Sequence, residues 1–185
     1  MKKEALAILD EGGHPTGETV LRQEAHRKGI LHGAAHIYIY RKKNGIPEVL
    51  LQRRSHQKDS FPDCLDISAA GHMEAGMSFL DTAVKELKEE LGLQMDAATA
   101  TPVLRRRFSN ITQQNGHLFN DQEIAETYLL RMDDLDLFKL KLQEEEVAEV
   151  QWMPVQTVIT RLEAADPELC LDPAEFLEVI RFLGD

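Results

Sequence analysis

The sequence predicts an α/β fold in which a mixed β-sheet is sandwiched between helices. Three observations point to it. β-rich segments and amphipathic segments alternate along the chain without a regular strand–helix repeat, which disfavours a barrel or a doubly wound fold. A strong turn dipeptide joins two of the clearest strands. One central segment carries a well-defined buried helical stripe. The chain has 185 residues, 43% hydrophobic and 29% charged, an ordinary globular composition that suits one domain with a small extension.

The elements follow in order. Asp10–Gly17 (DEGGHPTG) is rich in turn formers and reads as a loop or short hairpin. Arg22–His32 is a stretch bearing two histidines. Ala35–Arg41 (AHIYIYR), rich in β-branched and aromatic residues, reads as a strand. Asn44-Gly45 is a hairpin signal, so Glu48–Arg54 pairs with that strand. Leu65–Ala70 is a short apolar run ending at Gly71. Over Phe79–Leu91, Leu80, Ala83, Val84, Leu87 and Leu91 form one stripe of a helix. Ser78 with Asp81 resembles a capping box, and Gly92 is placed to end the helix. Strands are expected around Val103–Ile111, Glu126–Met132 and Glu149–Met153. A helix over Pro154–Glu163 begins at its proline, and a last amphipathic helix runs from about Pro173 to Leu183. Trp152 is expected in the core. The expected organisation is an extension over 1–30 packing on a domain over 31–165, with a C-terminal helix in 166–185.

Charge and cysteine usage narrow the function classes. A net charge of −11 argues against a general nucleic-acid binder. It is compatible with a small anionic substrate where a divalent cation offsets the local field. Cys64 and Cys170 form no disulfide framework. The opening MKKEALAILDEGGH has too short an apolar run for a signal segment, and no stretch approaches the roughly 18 apolar residues of a membrane span. The expectation is a cytoplasmic protein with reduced thiols.

The segment Gly71–Leu93 (GHMEAGMSFLDTAVKELKEELGL) carries the chemistry. Glu86, Glu89 and Glu90 stand at i, i+3 and i+4, so they project from one side of the helix, with Lys85 and Lys88 expected to point elsewhere. Three carboxylates on one side repel unless neutralised. Hard cations such as Mg²⁺ take oxygen ligands and bridge carboxylates to phosphates. A charged run such as KELKEE is by itself most often a solvated helix face. The wider pattern outweighs that reading. It resembles the Nudix box, G-x5-E-x7-R-E-U-x-E-E-x-G-U with U a bulky apolar residue. Gly71, Glu86, Leu87, Glu89, Glu90, Gly92 and Leu93 match in register, and EVAEVQWMPV at Glu146–Val155 resembles the strand-to-helix step that follows in such domains. The resemblance implies Mg²⁺ (or Mn²⁺) on Glu86, Glu89 and Glu90, with the Gly71 carbonyl contributing. Two positions depart. Met77 stands where the family has a glutamate and Lys85 where it has an arginine, two residues that form a supporting ion pair in the family.

Within that superfamily the chain is most similar to the group around type I isopentenyl-diphosphate isomerase. His26, His32, QRRSHQK at Gln52–Lys58, Gly71-His72 and DQE at Asp121–Glu123 carry the likeness. It implies that His26, His32, His72, Asp121 and Glu123 form a second metal site, and that Arg54 and Lys58, with His72, hold the substrate. Glu123 is the candidate general base or an extra ligand, with Asp121 and Glu126 as competitors. Arg105–Arg107 is a weaker phosphate candidate, since alternate strand residues face opposite sides. The isomerases need a cysteine just before the Gly-His pair, and Ala70 stands there. The expected activity is therefore Mg²⁺-dependent hydrolysis of a small-molecule diphosphate, either a nucleoside diphosphate derivative or a prenyl diphosphate, with Glu86, Glu89 and Glu123 catalytic. The alternatives are an isopentenyl-diphosphate isomerase-like enzyme and a non-catalytic binding module. Many members are dimers, which leaves a homodimer open.

Overall fold

The sheet is organised around one long central strand. The computed structural model describes residues 4–58, 60–97, 100, 102–114 and 117–184, with the backbone alone for 114 and 117. In chain order the elements are β1 (Ala5–Leu9), β2 (Pro15–Leu21), α1 (Arg22–Lys28), β3 (His32–Lys43), β4 (Ile46–Arg54), β5 (Leu65–Asp66), β6 (Ala69–His72), α2 (Phe79–Leu91), β7 (Pro102–Gln114), β8 (His117–Arg131), β9 (Val147–Pro154), α3 (Val155–Glu163) and α4 (Pro173–Val179). Along one edge β3 pairs in parallel with β8, from His32↔Glu123 to Tyr40↔Arg131. Along the other it pairs antiparallel with β6 through Ala34–Ile37, then with β4 through Tyr40–Lys43. The sheet is thus mixed, as expected, and β3 is a fork.

The fork has a chemical reason. Where β3 changes partner, its backbone needs a substitute. Buried Ser68 supplies it: its Oγ accepts the Ile39 amide at 2.8 Å and donates to the Leu50 carbonyl at 2.6 Å. This splits the expected Leu65–Ala70 run into β5 and β6. The β3–β4 hairpin turns at Asn44 and Gly45, both at positive φ (53° and 79°), the geometry of the turn that Asn-Gly favours.

The two faces of β3 are covered by different helices. Ala35, Ile37 and Ile39 meet Leu87 and Leu91 of α2. Tyr38 and Tyr40 meet Val158 of α3 and Phe176 and Val179 of α4. Each leucine so buried contributes about 1.5–3 kcal/mol. Helix α2 starts on a complete capping box: Ser78 accepts the Asp81 amide while the Asp81 side chain accepts the Ser78 amide. It ends at left-handed Gly92.

Some boundaries differ from those expected. β8 begins at His117 rather than near Glu126, because the ladder with β7 carries the polar residues Asn120–Gln122, whose own strand propensity is weak. Arg22–Lys28 forms a short helix. The last helix stops at Val179 and tightens to a 3-10 turn over Ile180–Phe182. Trp152 is half-buried, with the Arg41 guanidinium 4.2 Å over its ring. Among the described residues no helix is long and apolar enough to cross a membrane.

Candidate active site

Helix α2 lies on β3 and β6, and this contact decides what its glutamates face. Gly71 of β6 has no side chain, and Glu86 fills the space: a Cβ at position 71 would fall 2.2 Å from the Glu86 carboxyl carbon. Glu90 is buried one turn further on. Its Oε2 accepts the Gln52 side-chain amide at 3.2 Å and the Ala70 backbone amide at 3.3 Å. Burial first, and Glu86 next, push the Glu90 carboxyl up to about 8, against the opposing pull of Lys58. Burial also raises Glu86, with Lys85 opposing. Two adjacent buried carboxylates that resist ionisation are an arrangement a divalent cation would relieve. Glu89, by contrast, stays about half exposed.

Lys85 does not point elsewhere. Its Nζ lies 2.7 Å from Glu86, 3.2 Å from Glu89 and 3.2 Å from Glu74. Burial opposes its charge, yet the three carboxylates hold the ammonium above its ordinary pKa. Glu74 therefore occupies the role left empty by Met77, whose side chain packs instead beside Phe79 and Met73. Sequence reading missed Glu74. The one available signal was a carboxylate three residues before Met77. Lys85→Arg is expected to keep turnover, whereas Lys85→Met should lower kcat roughly 10- to 100-fold through a misplaced Glu86, as loss of supporting contacts does at metal sites. Steady-state rates of the two variants provide the check.

A second polar cluster forms where four elements meet. His26 of α1, His32 of β3, His72 of β6 and Asp121 of β8 bring their ligand atoms within 4.8 Å of one another. Glu123 of β8 joins them, 3.1 Å from His72 Nε2 and 3.5 Å from His32 Nε2. Nδ1 of His32 meets the Ile30 carbonyl at 2.8 Å, which turns Nε2 inward. His26 Nε2, His32 Nε2 and Asp121 Oδ1 are buried without a hydrogen-bond partner. Burial, with His72 and His32, pushes His26 down to about 3, and burial also lowers His72. His32 is raised despite burial because it faces Glu123, and Glu123 is held low despite burial by His32 and His72. Burial and Glu123 push Asp121 up to about 7. Two buried imidazoles held neutral, His26 and His72, and orphaned ligand atoms aimed at one point fit a divalent transition metal, whose charge would take the place of the proton on His32.

The remaining expected residues lie nearby in part. Arg54 is 3.0 Å from Asp66 and also binds the Ser60 carbonyl. Lys58 pairs with Glu146. Arg105 pairs with Glu126 at 3.3 Å and Arg106 with Asp172 at 3.3 Å, on opposite sides of the sheet. Cys64 and Cys170 are free thiols.

A family model described as the NUDIX domain matches residues 30–172, more than three quarters of the chain. The chain belongs to the Nudix family. It is 34% identical over 168 residues to Nudix hydrolase 3 of Arabidopsis thaliana, covering 90% of this chain and 21% of that protein. It therefore spans about a fifth of that plant relative. It is 32% identical over 153 residues to an uncharacterized Nudix hydrolase of Clostridium acetobutylicum, covering 78% of this chain and 73% of that one. Its fold is similar to that of a crystal structure from Deinococcus radiodurans, with a TM-score of 0.63, 20% identity, and coverage of 87% and 90% of the two chains. The likeness to that structure concerns the fold. In this Nudix chain the box glutamates Glu86 and Glu90 are the buried members, and Glu89 is the accessible one.

Proposed function

We propose that this Nudix chain is a hydrolase that cleaves the diphosphate linkage of a nucleoside diphosphate derivative or a prenyl diphosphate, with Mg²⁺ on Glu86, Glu89, Glu90 and the Gly71 carbonyl. The observation that carries this is the pair of buried carboxylates, Glu86 packed against Gly71 and paired with Lys85, and Glu90 on the Ala70 amide. The curated relatives named as Nudix hydrolases support the same class. A bound cation supplies phosphate neutralisation and a more acidic water. The residues do the rest. Glu89, accessible and 3.2 Å from Lys85, would accept a proton from the attacking water. Arg54 and Lys58, steadied by Asp66 and Glu146, orient phosphate oxygens; the pull of Lys58 on Glu90 puts it within electrostatic reach of the cation site.

Glu123 fits the second cluster better than an isolated base, since His32 and His72 hold it ionised. With His26, His32, His72 and Asp121 it would bind Mn²⁺ or a similar ion. Asp121, whose carboxyl sits at about 7, and His32, raised by Glu123, must both lose a proton to ligate. Mn²⁺ binding should therefore weaken as pH falls through 7, by about tenfold per pH unit for each proton displaced. Calorimetric titration at pH 6 and pH 8 tests this; equal affinities would remove Asp121 from the ligand set.

The assembled histidine cluster favours one second reading, an isopentenyl-diphosphate isomerase-like enzyme. Ala70, which offers no thiol, counts against it. The deciding experiment is ³¹P NMR with Mg²⁺ and a panel of nucleoside diphosphates, nucleotide sugars and prenyl diphosphates. New phosphate or monophosphate resonances establish hydrolysis. Isomerised prenyl diphosphate without phosphate release would establish the second reading, and no change would leave a binding module.

A further inference from the structure

His26 is the one candidate ligand of the histidine cluster that no strand carries. His32, His72, Asp121 and Glu123 stand on β3, β6 and β8, whereas His26 belongs to α1, ahead of residue 30 where the family match begins. α1 has seven residues, and its N-cap Leu21 makes no side-chain cap. A helix that short does not hold its own place. His26 Nε2 lies 3.6 Å from Asp121 Oδ1, and both atoms are buried without a hydrogen-bond partner. Ligand distances at a metal are set to within about 0.2 Å, so the position of α1 has to be fixed by its neighbours.

The fixing contact comes from β8. β3 and β8 run parallel, with His32 opposite Glu123. Counted three residues back on each strand, the same register sets Gly29 opposite Asn120. There the chain leaves the ladder: Gly29 takes the left-handed conformation, φ 67°, and caps α1. Asn120 occupies the space of its missing side chain. A Cβ at position 29 would fall 2.3 Å from Asn120 Nδ2 and 2.8 Å from its Cγ. The Asn120 amide is itself braced. Its Oδ1 accepts from Gln122 Nε2 at 2.7 Å, and the same nitrogen donates to Ser109 Oγ at 2.7 Å. Asn120 and Gln122 are two apart on β8, and Ser109 of β7 stands opposite Gln122, so the three share one face. The chain Ser109–Gln122–Asn120 thus runs across two strands to the end of α1. Phe119, on the other face of β8, meets the His26 ring edge-on, with centroids 4.7 Å apart.

We propose that Asn120, braced by Gln122 and Ser109, is a positioning residue for the second metal centre: seated against Gly29, it sets the place of α1 and so presents His26 to His32, His72 and Asp121. This rests on the divalent-ion reading of that cluster and is independent of the hydrolase reading. His26 lies three residues before Gly29, within one turn of α1. A shift of about 1 Å at Gly29 therefore carries His26 with it, several times the tolerance of a metal ligand.

The test titrates the full chain with Mn²⁺ by calorimetry, in the Glu90→Gln background so that the cluster is read without the box site. Asn120→Ala is expected to weaken Mn²⁺ binding about 10- to 100-fold, as loss of a supporting contact does at metal sites. Gly29→Ala, which drives the Asn120 amide out, should weaken it at least as much. Gln122→Ala, which keeps Asn120 and removes its brace, should act in the same direction by less, and it guards against misfolding of the other two. Because the effect passes through His26, Asn120→Ala added to His26→Ala should cost no further affinity. A merely structural role would lower the metal-free melting temperature and leave the affinity alone. Unchanged affinity in Asn120→Ala and Gln122→Ala, or an equal loss with and without His26, overturns the assignment and leaves the cluster a metal centre. No Mn²⁺ binding in the Glu90→Gln protein overturns the second centre as well, while hydrolysis is decided separately by the ³¹P experiment.

Discussion

Glu90→Gln is expected to silence turnover and, at the same time, to stabilise the metal-free protein. The carboxyl sits at about 8 in the fold, against an ordinary value of 4.5. A raised carboxyl pKa means that the unfolded chain ionises first. Stability from this group is therefore greatest at low pH and is lost as pH rises from about 4.5 to about 8. At pH 7 the cost is on the order of 3 kcal/mol. Glutamine is neutral in both states, and its carbonyl still accepts from Gln52 and the Ala70 amide. Its NH₂ also brings a donor to a neighbourhood where Gln52 Oε1 is buried without a partner. The melting temperature at pH 7 without metal should rise by roughly 5–10 °C for a chain of this size. Mg²⁺ should then stabilise the unsubstituted protein and not the variant, and the rate should drop by about 100-fold or more as several kcal/mol of transition-state stabilisation are lost. A variant that melts lower, or one that still turns over, contradicts the assignment of Glu90 as a ligand.

Gly71→Ala is expected to act as a Glu86 variant without touching Glu86. The added methyl would sit 2.2 Å from the Glu86 carboxyl carbon and 2.5 Å from its Cγ and Oε1. These are the far atoms of a side chain, so the backbone of β6 can stay in place while Glu86 swings away from the site. The stability cost should be about 1–3 kcal/mol, in the range of small overpacking changes. The loss of kcat should match that of Glu86→Gln. Because both changes remove one interaction, the double variant should be no slower than either single one. Additive losses would show that Gly71 serves something other than Glu86.

Much of this architecture is written in local sequence. The Ser78–Asp81 capping box, the Leu80–Leu91 stripe and Gly92 define α2 within a few residues of itself, because helical hydrogen bonds and side-chain periodicity are short-range. Asn44-Gly45 likewise sets the β3–β4 hairpin, since few residues accept two successive positive φ angles. The box register named Glu86, Glu89, Glu90 and Gly71, and the buried pair at Gly71 follows from that spacing once α2 lies on β6.

Other features depend on which strands become neighbours. The parallel pairing of β3 with β8 aligns His32 with Glu123, residues 91 positions apart, and so assembles the cluster that also draws His26 from α1 and His72 from β6. The likeness to a family suggested those five residues as a set, but no periodicity in the chain places them together. Lys85 turns toward Glu74 because the loop after β6 returns beside α2, and Glu175 reaches His36 across 139 residues because α4 covers the far face of β3. The sequence by itself determined the clearest elements, the caps of α2 and the family of the Nudix-box helix, through interactions that act over one or two turns. The tertiary structure alone decided which carboxylates are buried, which cation serves them and which histidines share a site, because burial and electrostatic pairing are set by sheet order and not by distance along the chain.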